Sequence, residues 1–249
     1  MKSKFNKLLL LCLMAWGFVA NQVIAQTLMA WGFVANQVIA QTTYEWKGGF
    51  TDINDTYFTS TTQGWAVGGN GTLLSTSDGG VTWIARSLAT TNTFVAIYFT
   101  SATRGYALEG FTVWNTFDGG NTWTAQTLPT TQDVTSISFP TPSNGWIVGT
   151  NGLLLTTNNG GTTWTAQNSG TTQNLNGVSF FSATQGCIVG DGMNNCRTTS
   201  DGGLTWTAQI VGSPLGFNGV HFTSATQVWI TGQETGMVAF SNNAGVTWT

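Results

Sequence analysis

The chain has 249 residues, of which 32 are Gly and 12 are Trp, while only 7% are charged. Disordered chains combine high charge with few aromatic residues, so this composition indicates a folded protein. The formal net charge is -3, and three of the seven basic residues (Lys2, Lys4 and Lys7) lie at the very start. Binding to nucleic acid is not expected, because it needs clustered cations that release counterions from phosphates.

The N-terminus has the pattern of a secretory signal peptide. A basic start, Met1–Lys7, precedes an apolar run from Leu8 to Ala20 that is too short to span a bilayer. The small residues of Val23-Ile24-Ala25 then precede Gln26 and suit cleavage. The sequence therefore predicts a signal peptide over residues 1–25 and an exported protein, which is secreted, periplasmic or at the cell surface. After cleavage we expect no membrane-spanning segment.

Part of this leader is duplicated. Residues 13–27 return unchanged at 28–42, and a second cleavage pattern follows at Ala40-Gln41. The leader therefore ends at residue 25 or at residue 40, and the folded domain is predicted over residues 43–249.

A box of the form S/T-x-D/N-x-G-x-T-W recurs five times in this domain. Successive box Trp residues lie 40, 41, 42 and 42 positions apart, and a period of this length indicates a repeat architecture. The acidic or amide residue and the Trp of the five copies are Asp78 and Trp83, Asp118 and Trp123, Asn159 and Trp164, Asp201 and Trp206, and Asn243 and Trp248.

Each unit also carries a regular strand pattern. An alternating apolar segment that ends in Phe, such as Phe94–Phe99, predicts a first strand, and Gly-Trp-x-Val-Gly segments predict a second. Asn70-Gly71, Asn151-Gly152 and Asp191-Gly192 predict hairpin turns into a third strand, and the box then leads into a fourth. We therefore predict an all-β fold, a β-propeller of four-stranded antiparallel blades with five blades visible.

A β-sandwich is the rival architecture, but a sandwich does not require near-identical units of one length. The ends leave two alternatives open. Tyr44-Glu45-Trp46 resembles a fourth strand that completes the last blade, which gives a five-bladed ring; otherwise the chain is part of a larger propeller.

The box is predicted to be a structural turn. Its Asp or Asn oxygen accepts hydrogen bonds from turn N–H groups, Gly supplies positive φ, and Trp buries apolar area between blades. Two copies carry Asn, which caps a turn but cannot act as a general acid or nucleophile.

This box resembles the Asp-box, or BNR repeat, and the resemblance covers the chain after the leader. The repeat is shared by sialidases, sortilin-type receptors, xyloglucan-degrading glycoside hydrolases and the propeller assembly factors of photosystem II. The short blade looks most like the last group and its secreted bacterial relatives. The resemblance implies a propeller whose boxes lie away from the functional face, but fold alone does not give function.

The domain contains two cysteines, Cys187 and Cys196. With a two-residue turn at Asp191-Gly192, they face each other as a non-hydrogen-bonded pair with close Cα atoms. This geometry, with export to an oxidising compartment, predicts a disulfide. A bulge in this slightly longer unit would shift the register.

No catalytic constellation emerges from the sequence. Arg86, Arg104 and Arg197 occupy different levels of the blade and are not expected to converge on a substrate carboxylate, as a sialidase requires. His221 lacks a visible catalytic partner. We therefore predict a protein that is not an enzyme and that has no cofactor and no metal site.

The second-to-third strand hairpins and the linkers between blades are predicted to share the face opposite the boxes. They carry the candidate partner-binding residues Glu109, Phe111, Asp191, Met193 and Glu234, with the acids as exposed hairpin residues. The leading hypothesis is a secreted, non-enzymatic binding or assembly scaffold whose partner is a protein or a cell-surface glycan. The alternative is a glycan-active enzyme, of the sialidase or xyloglucanase kind, or a glycan-binding module.

Overall fold

A computed structural model describes residues 52–193, 195–233 and 236–249. The predicted signal peptide, its duplicated segment, the Tyr44–Trp46 segment and Glu234 lie outside the described residues. Within them the chain is all-β apart from a single 3-10 turn at Thr150–Gly152, which confirms the predicted fold class.

Nineteen strands follow one another in the described residues. Their bounds are β1 Ile53–Phe58, β2 Gly64–Gly68, β3 Leu73–Thr76, β4 Ile84–Arg86, β5 Phe94–Phe99, β6 Gly105–Glu109, β7 Thr112–Thr116, β8 Thr124–Thr127, β9 Val134–Ser138, β10 Gly145–Gly149, β11 Leu154–Thr157, β12 Thr165–Ala166, β13 Leu175–Phe180, β14 Gly186–Gly190, β15 Cys196–Thr199, β16 Thr207–Gln209, β17 Phe217–Phe222, β18 Val228–Gly232 and β19 Val238–Ser241.

The strands form five antiparallel sheets, each in sequence order, which we call blades 1 to 5. Blades 1 to 4 have four strands each, and blade 5 has the three strands β17–β18–β19. Thr249 alone continues blade 5, where its backbone exchanges two hydrogen bonds with Phe240. The first strand of each blade packs against the first strand of the next, so β1, β5, β9, β13 and β17 are innermost.

Stacked aromatic rings join successive blades. The ring on the second strand of one blade lies flat on the Phe that ends the first strand of the next blade. The ring centroids of Trp146 and Phe180 are 3.6 Å apart, with the planes at 9°. The equivalent pairs are Trp65 with Phe99 at 5.6 Å and Tyr106 with Phe139 at 4.5 Å.

The same Phe also contacts the box Trp of its own blade, edge to face. Phe180 and Trp206 are 6.0 Å apart at 89°, and three other blades repeat the contact. Offset and edge-to-face pairs satisfy the ring quadrupoles while burying large apolar areas. Each blade boundary of this kind is therefore a ladder of three rings that spans two blades.

The glycines of the box allow this close approach. Gly120 has φ +83°, and a Cβ added there would lie 2.3 Å from the Trp65 ring of the preceding blade. The neighbouring box carbonyl is used as well, because Trp146 Nε1 donates to the Gly202 oxygen at 3.1 Å and Tyr106 Oη to the Gly160 oxygen at 2.8 Å. The box thus fixes both a turn and the contact with the preceding blade.

Polar side chains tie the innermost strands together. Asn54, Thr135 and Asn176 donate to the first-strand carbonyl oxygens of the next blade, at Phe94, Leu175 and Phe217. In the other direction, the hydroxyls of Ser138 and Ser179 accept the N–H groups of Phe180 and Phe222. Neutral hydrogen bonds therefore supply the inter-blade contacts in a chain with few charges.

The structure corrects the predicted pairing of the cysteines. Val189 faces Cys196, and Cys187 faces Thr198, so the register is two residues away from the predicted one. The hairpin is longer than a two-residue turn, because the Gly190 N–H bonds the Asn195 oxygen. The two Sγ atoms lie diagonally at 3.7 Å, and both cysteines are free thiols. A disulfide in exported protein stays a prediction.

Replacing Trp146 by Ala is expected to destabilise the protein by about 3–5 kcal/mol, because it removes a ring that is 3% exposed and stacked on Phe180. Trp229→Ala is the matched control, since Trp229 occupies the same position in blade 5 but is 44% exposed. We expect it to cost less than about 1 kcal/mol. Equilibrium unfolding in guanidinium measures both, and equal losses would contradict the role assigned to the stack.

Thiol reagents are expected to leave Cys187 and Cys196 unmodified in the native protein, because both side chains are fully buried. Burial also raises the pKa of the Cys187 thiol well above its ordinary value, which lowers the thiolate fraction further. Mass spectrometry after maleimide treatment, with and without denaturant, measures this. Rapid labelling of folded protein would contradict the burial, and omission of reductant from the denatured sample detects any disulfide.

Candidate functional site

The propeller has two different faces. On one, the box turn is held against the turn between the first two strands of its own blade, as in the Gly119 N–H bond to the Thr103 oxygen. On the other, the hairpins meet the linkers between blades, as in the bonds from Gly71 to Asn92 and from Gly192 to Leu215. The hairpins and linkers therefore share a face opposite the boxes, as predicted.

Each box is a closed hydrogen-bonded turn. In blade 1, Thr76 Oγ1 donates to Asp78 Oδ1 at 2.7 Å and accepts the Gly80 N–H at 2.9 Å. Asp78 also accepts from Thr82, from the N–H at 2.8 Å and from the hydroxyl at 2.6 Å. All four potential carboxylate partners are local, so the Asp is occupied by the turn.

The Asn copies close the same turn with one bond reversed. Asn159 Oδ1 accepts the Thr163 N–H at 3.0 Å, while the Asn159 amide donates to the Thr163 hydroxyl at 2.8 Å. Asn243 makes the equivalent pair of bonds with Thr247. An amide therefore replaces the carboxylate without loss of a contact, which agrees with the predicted structural role.

Hydrogen bonds to the ionised form lower the pKa of the three box carboxyl groups to about 2. The largest cause is the side-chain bond from the following Thr: Thr82 for Asp78, Thr122 for Asp118 and Thr205 for Asp201. These groups are anionic at neutral pH and cannot donate protons as general acids.

The candidate partner-binding residues differ in their surroundings. Phe111 is 46% exposed and Met193 is 72% exposed on the hairpin and linker face. Glu109 is only 4% exposed, so the expectation of an exposed hairpin acid is wrong at this position. Its carboxylate accepts from the Thr90 hydroxyl at 2.9 Å.

The tight hairpin of blade 2 explains why Glu occupies this position. Glu109 still pairs with Thr112, which leaves only Gly110 and Phe111 in the turn. In blade 3 the equivalent residue is Gly149, where a Cβ would lie 2.1 Å from the Asp133 oxygen. A longer hairpin thus presses against the preceding linker and requires Gly, whereas the short turn leaves room for a side chain.

Asp191 is a polar link between blades 4 and 5. Its carboxylate accepts from Asn174 at 3.0 Å and Asn176 at 2.7 Å in its own blade, and from the Gln233 amide of blade 5. The bond from Asn176 is the main cause that holds the pKa of Asp191 below its ordinary value. This acid is therefore engaged by three amides, and it is poorly suited to proton transfer.

An apolar cluster on this face was not found from the sequence. Ile210 and Leu215, in the linker between blades 4 and 5, are 83% and 57% exposed. The Leu215 oxygen accepts the N–H of Gly192, the residue before Met193, so the linker and hairpin lie side by side. The available signal was Ile210 itself, an apolar residue directly after the fourth strand. We call Met193, Ile210 and Leu215 the linker patch.

The three arginines of the described residues have separate structural contacts. Arg86 Nε donates to the Ser75 hydroxyl, and Arg104 Nε donates to the Tyr106 hydroxyl, both at 2.9 Å. Arg197 lies on β15 near Gly170. They belong to blades 1, 2 and 4, and the structure brings no two of them to a common site, as expected from their register.

The innermost strands surround a central cavity of about 530 Å³. One level of its lining is formed by the equivalent residues Tyr57, Tyr98, Ser138, Ser179 and His221. Burial raises the pKa of Tyr98 to about 12, and its phenol donates to the Phe139 oxygen at 2.8 Å. The hydroxyls of this ring mainly connect blades.

The described residues contain no cluster of His, Cys, Asp or Glu with the composition of a metal site. They also contain no helix with the length and apolar character needed to cross a membrane.

Acid is expected to destabilise the protein through the boxes. Because the folded pKa of Asp78, Asp118 and Asp201 is about 2 and the unfolded value is near 3.8, their contribution is complete above about pH 4 and is lost as the pH falls towards 2. The triple Asp→Asn variant should show a flatter fall in Tm across this range. Differential scanning calorimetry from pH 2 to pH 7 measures it, and an unchanged slope would contradict the assignment.

The fold matches solved propellers. A structure of YCF48 bound to D1 peptide is 23% identical with a TM-score of 0.64, covering 79% of this chain and 65% of that chain. YCF48 from Cyanidioschyzon merolae is 18% identical with a TM-score of 0.55, covering 79% and 84%. An ancestral GH74 enzyme is 15% identical with a TM-score of 0.63, covering 79% and 30%. At these identities the likeness shows the fold alone.

No curated protein matches this sequence. The family model described as photosynthesis system II assembly factor YCF48 matches residues 40–101 and 87–172, which together span more than half of the chain. With five Asp-box blades of the matching architecture, the chain belongs to the family of the photosynthesis system II assembly factor YCF48.

Proposed function

We propose that this protein is an exported, non-enzymatic scaffold that binds a segment of another protein on its hairpin and linker face. The observation that carries the proposal is membership of a family of assembly factors, of which one structure is described as bound to a D1 peptide. The chain spans 65% of the length of that structure, and the partner proposed here is a protein segment of unspecified origin. Export rests on the leader pattern of residues 1–25.

The state of the acids supports a binding role over catalysis. Glycoside hydrolysis generally needs two carboxyl groups across a cleft, one of which carries a proton at working pH. The box acids are saturated by local bonds, Asp191 accepts three amides, and Glu109 is buried against Thr90. These contacts leave the three acid types in structural roles.

The linker patch supplies a plausible contact surface for a protein partner. Its three side chains are more than half exposed, and exposed apolar groups of this size favour protein contacts when they lie together. Asp191 and Gln233 hold the hairpin and linker in place beneath the patch. An extended segment with apolar side chains fits this surface, with backbone groups facing the polar hairpins.

Substitution of Met193 or Ile210 by Asp is expected to weaken peptide binding about tenfold or more, because a charge would replace apolar contact area. The probe is a displayed library of random dodecapeptides selected on the full chain, followed by titration of the enriched peptides. Leu204→Asp is the matched control, since Leu204 is 74% exposed on a box turn of the opposite face. Loss of binding in the control alone would contradict the proposed face.

The glycan alternative is tested in parallel with a glycan array and a panel of chromogenic glycosides. We expect neither binding nor turnover. Turnover that Glu109→Gln abolishes would overturn the scaffold proposal.

A further inference from the structure

Blade 5 presents the aromatic residue of the inter-blade stack without a ring from another blade on it. Trp229 faces His221 on β17 and Phe240 on β19, as its equivalents do in the other blades. Those equivalents are 5% exposed at Trp65, 0% at Tyr106 and 3% at Trp146, whereas Trp229 is 44% exposed. Its ring contact within the described residues is with Phe240 of the same blade.

The rest of this blade-5 face follows the same trend. Val238 is 58% exposed, although its equivalents Leu73, Val113 and Leu154 are at most 1% exposed. Asn218 bonds the Gly232 oxygen of its own blade at 3.2 Å, whereas the equivalent Asn54 and Asn176 reach the next blade. We call Trp229, Val238 and Asn218 the trailing face.

Blade 1 carries the complementary half of the interface. Phe58 and Ile53 are half-buried, while the equivalent Phe residues of blades 2 to 5 are at most 7% exposed. Phe58 contacts the box Trp83 of its own blade, so two rings of the three-ring ladder are present. We call Ile53, Phe58 and the box turn at Gly79 the leading face.

We propose that the trailing face of one molecule binds the leading face of a second copy of this chain, head to tail. The argument is continuity with the interface that joins the blades within the molecule, since each half retains the side chains of that interface. Trp229 would stack on the Phe58 ring as Trp146 stacks on Phe180. Its indole N–H would reach the Gly79 oxygen, which is equivalent to the Gly202 oxygen that Trp146 uses.

The polar contact is specified as well. Asn176 of blade 4 donates to the oxygen of Phe217, the first residue of the next innermost strand. The same register gives Asn218 the Ile53 oxygen of the second copy as acceptor. The contact is heterologous, because the two surfaces differ, and it closes into a ring or continues into a chain of molecules according to its rotation.

Sedimentation velocity of the full chain over a concentration series tests this proposal. The wild-type protein is expected to associate, and Trp229→Glu is expected to weaken association by about thirtyfold or more, as for a buried Trp at the centre of an interface. Leu204→Glu is the control, because it adds a charge at another exposed apolar position, on the box face of blade 4. It should associate like the wild type.

Mixing two variants distinguishes head-to-tail contact from other modes. Trp229→Glu retains an intact leading face and Phe58→Glu an intact trailing face, so each alone should be monomeric and an equimolar mixture should form dimers that grow no further. Ile53→Glu replaces Phe58→Glu if circular dichroism shows the latter unfolded. A wild type that stays monomeric overturns the proposal and leaves the trailing face to another segment or partner. Association that survives Trp229→Glu, or a mixture without dimers, also overturns it.

Discussion

The structure depends on one repeated contact, the stack between a second-strand ring of one blade and the Phe that ends the first strand of the next. A four-stranded blade buries little by itself, and repeat units become stable by covering one another. The stack provides that cover, and the box Trp completes it edge to face. The Gly residues of the box follow from this contact, because a side chain at Gly120 would collide with the Trp65 ring.

The box therefore does structural work at two levels. Its Asp or Asn and two hydroxyl side chains close the turn, and its glycines and Trp position the blade against its neighbour. Because the contacts are local hydrogen bonds and ring packing, the domain holds together with very few charges. The boxes and their turns occupy one face, which leaves the hairpins and linkers of the other face free to vary between blades.

The boundary between blades 4 and 5 shows how the interface tolerates variation. Cys187 takes the position of the stacking ring there and packs with Phe217 and Phe222 of blade 5. A smaller side chain gives up ring contact, and the amide bonds that join Asp191 to Asn176 and Gln233 connect the two blades nearby. The linker patch lies at this same boundary. The departure from the repeat thus coincides with the most distinctive surface of the hairpin and linker face.

The sequence by itself determined the blade count, the strand order, the structural role of the box and the opposition of the two faces. These follow from local chemistry, because Asn-Gly and Gly-Gly turns and alternating apolar residues act over a few positions and recur with the period. Only the tertiary structure decided that Glu109 is buried, that Cys187 faces Thr198, and that Ile210 and Leu215 lie beside the Met193 hairpin. Register depends on the exact length of a hairpin, and burial depends on residues about 40 positions away in the next blade. Neither quantity is encoded in the segment that it governs.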